Sequence, residues 1–191
     1  MVCFCSCTSI LQIAYGVKKP RLETIESIHV FENENGLDST RTSTFKDLRS
    51  FVLASQQRFV TIPDAIFFNK EGHFVSYNKT AKECSANVDS FIEDIETFNT
   101  YAVDERIQLS NFVKLLSPQE EQELAKADIN VFITWTVYAG RLNEEKAFEW
   151  VKLLEQAIAN GTSINYYLLN CDYQKSWNIP KEVQKKLGIK S

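Results

Sequence analysis

The 191-residue sequence has no excess of positive charge: 21 Lys and Arg stand against 25 Asp and Glu, for a net charge of -4. The cations are scattered among the acids, so no basic stripe exists to neutralise phosphates, which argues against a nucleic-acid partner. No apolar run approaches the roughly 20 residues that span a bilayer. Histidine is scarce: His29 and His73 lie in unrelated contexts, and no nucleophile-elbow glycine pattern accompanies them, so a Ser-His-Asp hydrolase has no support. Gly72, Gly140 and Gly161 stand alone, which leaves no loop to cradle a phosphate. No repeat, low-complexity tract or clean linker divides residues 22–191, which read as one domain.

Cysteine is nearly absent from the body of the chain, where only Cys84 and Cys171 occur, while Cys3, Cys5 and Cys7 crowd the start. Their one-residue gaps lack the spacing and the distant second pair of a zinc knuckle, so no metal or cofactor is expected. Val2-Cys-Phe-Cys-Ser-Cys-Thr-Ser9 resembles the tail of a bacterial lipoprotein signal, with Cys7 the best match for the lipidated residue. Only Met1 to Ser6 precede it, short of the charged start and roughly 7–15 apolar residues of an ordinary signal. A shortened start and free thiols on an apolar segment both remain open. Lys18-Lys-Pro-Arg21 reads as a tether, making residues 1–21 a signal-like segment and 22–191 the folded part.

What is present is the material of a packed domain: 44% hydrophobic and 12% aromatic residues argue for a sizeable core and against disorder. Ile25, Ile28 and Phe31 share a helical face that Asn35-Gly36 ends. His29 beside that stripe reads as packed or surface, not catalytic. Residues 38–44 read as a loop, and Thr44 as the cap of a helix reaching Arg58. Two apolar runs around Asn69-Lys-Glu-Gly72 predict a hairpin, with Pro63 at the entry of its first strand. A helix follows over Val88–Phe98, with Cys84 just before its positive end, where a thiol pKa can fall. Ser117-Pro-Gln-Glu120 spells a capping box for a helix reaching Ala127.

Asn130 to Leu142 then forms a buried strand entering a helix from Asn143 to Ile158 through the corner Tyr138-Ala-Gly-Arg-Leu142, which holds no thiol, histidine or carboxylate. Glu144 and Glu145 read as charges favoured by the helix dipole. Ser163 to Asp172 predicts another buried strand, and Pro180 to Gly188 a short basic helix.

These two halves together resemble the thioredoxin family. There a buried strand ends in Trp-Ala-x-Trp-Cys-Gly-Pro-Cys, followed by a helix and a strand leaving through an Asp-containing loop. Here Trp135-Thr-Val-Tyr138 falls at the aromatic pair, Ala139-Gly-Arg-Leu142 at Cys-Gly-Pro-Cys, and Leu168-Leu-Asn-Cys-Asp172 at the exit. The family's Ile-Pro, hairpin and helix resemble Thr61-Ile-Pro-Asp64 onward and the helix near Asn87. The order is reversed, with the hairpin–helix unit first and the βαβ unit second.

The resemblance implies an α/β fold with a thioredoxin-like central mixed sheet flanked by helices; in the family the proline is cis and faces the site, while the sequence leaves the isomer before Pro63 open. It also implies that the redox thiols are replaced by Ala139 and Leu142, with Arg141 in place of the family's proline. The expected role is a non-catalytic binding or scaffold domain for an unknown protein or small ligand, with Trp135, Tyr138, Ala139, Gly140, Arg141, Leu142 and Pro63 forming its corner. Lipidation of Cys7 would set it on the bacterial cell envelope through the lipid alone; otherwise the cytoplasm is expected. The alternatives are an atypical thiol-disulfide oxidoreductase using Cys84 or Cys171, and a protein-interaction or immunity-type module.

Overall fold

The computed structural model describes residues 15–77, 88–117 and 127–190. Cys3, Cys5, Cys7 and Cys84, with the predicted helix between Ser117 and Ala127, lie outside the described residues.

Helix α1, Ile25–Glu34, starts at a reciprocal cap: the Thr24 hydroxyl accepts from the Ser27 N–H, and the Ser27 hydroxyl accepts from the Thr24 N–H. Strand β1, Thr42–Thr44, falls inside the segment read as a loop. Thr-Ser-Thr has no apolar alternation to announce a strand, and only its parallel pairing with Leu168 to Asn170 makes it one. Because Thr44 is taken up in that pairing, the following helix α2, Leu48–Gln56, is capped instead by Asp47, whose carboxylate accepts from the Ser50 N–H at 2.7 Å. Strands β2, Asp64–Asn69, and β3, His73–Val75, form the expected hairpin. Gly72, at φ +80°, serves its turn.

Helix α3, Val88–Glu93, continues as a 3₁₀ turn over Ile95–Thr100. Strand β4, Val103–Gln108, is charged and largely exposed, as suits the outer edge of a sheet, and it carries no hydrophobic pattern that would have revealed it. Helix α4, Leu109–Phe112, follows directly. Strand β5, Ile129–Trp135, is buried throughout. Helix α5 has a π-helical stretch, Asn143–Phe148, before its α-helical part, Glu149–Ala159. Strand β6, Ile164–Asn170, and helix α6, Lys181–Lys186, complete the described elements.

The strands form one six-stranded mixed sheet in the order β1-β6-β5-β2-β3-β4. β1, β6 and β5 run parallel, and β2 joins β5 antiparallel. Side chains alternate between the two faces, as the period of a strand requires. Phe67, Val131, Ile133, Trp135, Tyr166 and Leu168 pack with α1, α3 and α5 on one face. Ile66, Phe68, Phe132, Tyr167, Leu169 and Cys171 pack with Phe45, Phe59 and Phe112 on the other. The result is a mixed α/β architecture with helices on both faces, consistent with a thioredoxin-like fold. Within it the carboxyl ends of β5 and β6 lie side by side, which is where open parallel sheets keep their ligands.

Candidate binding site at the strand-to-helix corner

β5 runs out at Trp135, whose ring is fully buried and stacked on Phe31 with centroids 5.5 Å apart. Three backbone-directed contacts then shape the corner. The Cys171 N–H donates to the Trp135 carbonyl at 2.8 Å, the Val137 N–H donates to the Asp172 carboxylate at 2.7 Å, and the Asn143 amide donates to the Thr136 carbonyl at 2.7 Å. Antiparallel pairing of Asp64 with Thr134 sets Pro63 beside the end of β5, and the Ile62–Pro63 bond is cis. The Thr134 hydroxyl fastens that approach, accepting from the Asp64 N–H at 2.8 Å and donating to the Thr61 carbonyl at 2.6 Å.

The seven corner residues are not equally available. Trp135 and Ala139 are buried; Pro63, Tyr138, Gly140 and Leu142 are half-buried; Arg141 is exposed. Neither position 139 nor position 142 offers a nucleophile. Cys171 sits in the core on the opposite face from Trp135 and directs its S–H toward the Leu169 carbonyl at 3.6 Å. Burial raises its pKa well above that of a free thiol, so it is held in the protonated, unreactive form. Cys7 and Cys84 lie outside the described residues.

The segment read as a tether is strapped onto the domain. The Lys18 N–H donates to the Tyr138 carbonyl at 2.8 Å, the Glu23 N–H to the Tyr173 carbonyl at 2.9 Å, and the Lys190 N–H to the Pro20 carbonyl at 2.8 Å. The strap presses on the corner at Gly140, where a Cβ would come 2.5 Å from the Tyr15 oxygen and 2.8 Å from the Gly16 oxygen. Glycine is therefore required here twice over, by this approach and by its φ of +60°.

Beside the covered glycine, a cavity of about 680 Å³ remains open between the strap, α1 and the corner. Its apolar lining comes from Val17, Phe31, Val137 and Tyr138. Lys18, Lys19, Arg21 and Lys190 line it against only two acids, Glu23 and Glu34, so a locally positive site stands in a net-negative chain. Arg21 is engaged in an ion pair with the buried Glu23, which also accepts from the Ser27 hydroxyl at 2.8 Å.

Besides Glu23, two further acids are buried, Asp172 and Glu32. Asp172 is 1% exposed, and burial pushes its carboxyl up to about 7 although the Val137 N–H and the Asn170 amide both favour its anion. Glu32, also buried, is pushed up to about 7 by burial, with the Thr42 hydroxyl donating to it. Tyr138 is pushed up to about 12 by burial and then by Asp172. The His29 ring is half-buried on α1, with its Nε2 enclosed and without a partner among the described residues. Among the described residues no three His, Cys, Asp or Glu side chains gather as metal ligands, and no helix is long and apolar enough to cross a membrane.

The corner itself was visible in the sequence because an apolar run turns abruptly into a helical period. Its cavity was not, since Val17, Phe31, Val137 and Lys190 belong to four distant segments. Asp172 carried one usable signal: an acid directly after a buried strand, at a position the resemblance already marked. No family model matches the chain, and no curated protein or solved structure matches it significantly.

Proposed function

We propose that the chain is a non-catalytic, degenerate thioredoxin-like domain that binds a ligand at the strap-and-corner cavity, and that it is tethered to a bacterial envelope membrane when Cys7 is lipidated. The observation that carries the reading is the coincidence of an inert corner with an open cavity. Beside cis-Pro63, positions 139 and 142 hold Ala and Leu, and a space of about 680 Å³ opens against Val137 and Tyr138, just before them in the chain. That volume lies within the roughly 300–1,000 Å³ of ordinary ligand pockets, and its lining sets four apolar or aromatic side chains among six charged ones. Thiol–disulfide exchange needs an accessible thiolate, which Cys171 does not supply.

The test is reduction of insulin disulfides by the full chain in parallel with Cys84→Ser and Cys171→Ser variants. The expected result is a rate equal to the uncatalysed background in all three. Turnover that disappears in either variant would replace this reading with a thiol enzyme. The tether is tested separately by metabolic labelling with a lipid analogue: label should be incorporated and should vanish in Cys7→Ser.

A further inference from the structure

Charge and shape at the cavity specify a ligand more narrowly than the fold does. Three of its lysines, Lys18, Lys19 and Lys190, make no ion pair among the described residues, whereas Arg21 is occupied by Glu23. Lys18 and Lys19 arrive on the strap, and Lys190 from the chain's other end. Lys190 is brought there by its own N–H, which donates to Pro20. The counter-charge within the lining is small: Glu23 is buried and committed to Arg21 and Ser27, and Glu34 is exposed on α1. Unneutralised ammonium groups around a concave apolar surface raise the local concentration of anions, even though the whole molecule is acidic.

The floor excludes a purely polar anion as the best occupant. Val17, Phe31, Val137 and Tyr138 offer aliphatic and aromatic surface that water covers at a cost, and an apolar body would displace that water. The Tyr138 hydroxyl, held protonated, adds no negative charge to the site.

We propose that the cavity binds a small carboxylate carried on an apolar body, its anion held among Lys18, Lys19 and Lys190 and its hydrocarbon laid against Phe31, Val137 and Tyr138. The proposal rests on the binding-domain reading and supplies the ligand class that reading lacks. A free carboxylate of this kind fits the enclosure better than a macromolecule does, since the strap and α1 close the cavity on two sides.

Calorimetric titration of the full chain with octanoate and with 1-octanol tests it, alongside the double variant Lys18→Glu with Lys190→Glu. Both lysines are exposed, so the variant should keep the wild-type melting temperature. Octanoate should bind about fivefold or more tightly than the alcohol, and should lose about the same factor in the variant, since an exposed ion pair contributes up to about that factor. Backbone amide shifts should centre on Val17, Val137 and Lys190. Equal affinity for octanoate and octanol, an unchanged affinity in the variant, or shifts centred elsewhere would overturn the ligand class. Failure of octanoate with insulin reduction still at background removes this ligand class and leaves the non-catalytic reading standing; insulin reduction above background removes both.

Discussion

The carboxylate of Asp172 accepts a 2.7 Å hydrogen bond from the backbone N–H of Val137, tying the exit of β6 to the first turn beyond β5. The same Oδ2 accepts from the Asn170 amide at 2.8 Å, while Oδ1 is buried without a partner among the described residues. The carboxyl therefore has half of an anion's solvation, and burial dominates: its pKa moves from 3.8 to about 7. Below about pH 4 the group is protonated both folded and unfolded and imposes no penalty. As pH rises towards 7, the unfolded chain gives up its proton first, so stability is lost across that interval and then levels off. Chemical denaturation at pH 5 and pH 8 should show a less stable protein at pH 8. Asp172→Asn retains an acceptor oxygen for Val137 and should remove much of the difference; an Asn variant with the wild-type slope would show that Asp172 is ionised throughout.

Glu32 behaves in the same direction from another place. It is buried on α1, its Oε2 has no partner among the described residues, and the Thr42 hydroxyl from β1 donates to its other oxygen. That contact favours the anion and partly offsets burial. Thr42→Val should therefore cost more at pH 8, where the anion loses its donor, than at pH 5, where the acid is neutral. The loss of a buried charged-group hydrogen bond is worth roughly 1.5–3 kcal/mol. Equal losses at the two pH values would mean that the hydroxyl serves packing alone.

The strap has a direct mechanical test at Gly140. An added Cβ meets the Tyr15 and Gly16 oxygens at 2.5 and 2.8 Å, and the backbone there has φ +60° and ψ -139°. Gly140→Ala should destabilise by about 1–3 kcal/mol through strain and should also push the strap away. Gly161, at φ +94° with nothing within 4 Å of a Cβ, supplies the control: Gly161→Ala carries strain without collision. Tryptic cleavage after Lys18 in the native protein should accelerate in Gly140→Ala and not in Gly161→Ala. Equal cleavage in the two variants would show that the strap does not depend on the absence of a Cβ at 140.

How far the fold could be read beforehand follows the physics of each element. β5, β6, the hairpin and α5 were legible because their burial is written locally, as continuous apolar runs or a helical period. β1 was not, because Thr42, Ser43 and Thr44 become a strand only through β6, and the buried Thr42 hydroxyl finds its acceptor in Glu32 of α1. β4 was hidden by the charge that protects a sheet edge, with Asp104 and Arg106 paired at 2.7 Å on its exposed surface. At the site, the corner residues were legible and their shielding was not. Whether Gly140 is open or covered depends on Tyr15 and Gly16, more than 120 positions away, and no local pattern encodes that contact.

The last test concerns Cys171. It is 2% exposed, packed with Phe132, Tyr167 and Leu169, and its pKa is raised by burial first and by the neighbouring Asp172 second. Both causes disfavour the thiolate, which is the form that attacks an alkylating agent. In the native protein at pH 8, iodoacetamide should therefore modify Cys171 only through opening of the core, at least about a hundredfold more slowly than in denaturant. Peptide mapping by mass spectrometry separates Cys171 from the four other cysteines. Cys171→Ala should fold, since the thiol's one polar contact among the described residues is a long bond to a β-strand carbonyl. Cys171→Ser should cost roughly 1–3 kcal/mol by setting a hydroxyl in an apolar site. Native alkylation at the denatured rate would show a reactive, accessible thiol and would put the oxidoreductase alternative ahead of the binding-domain reading.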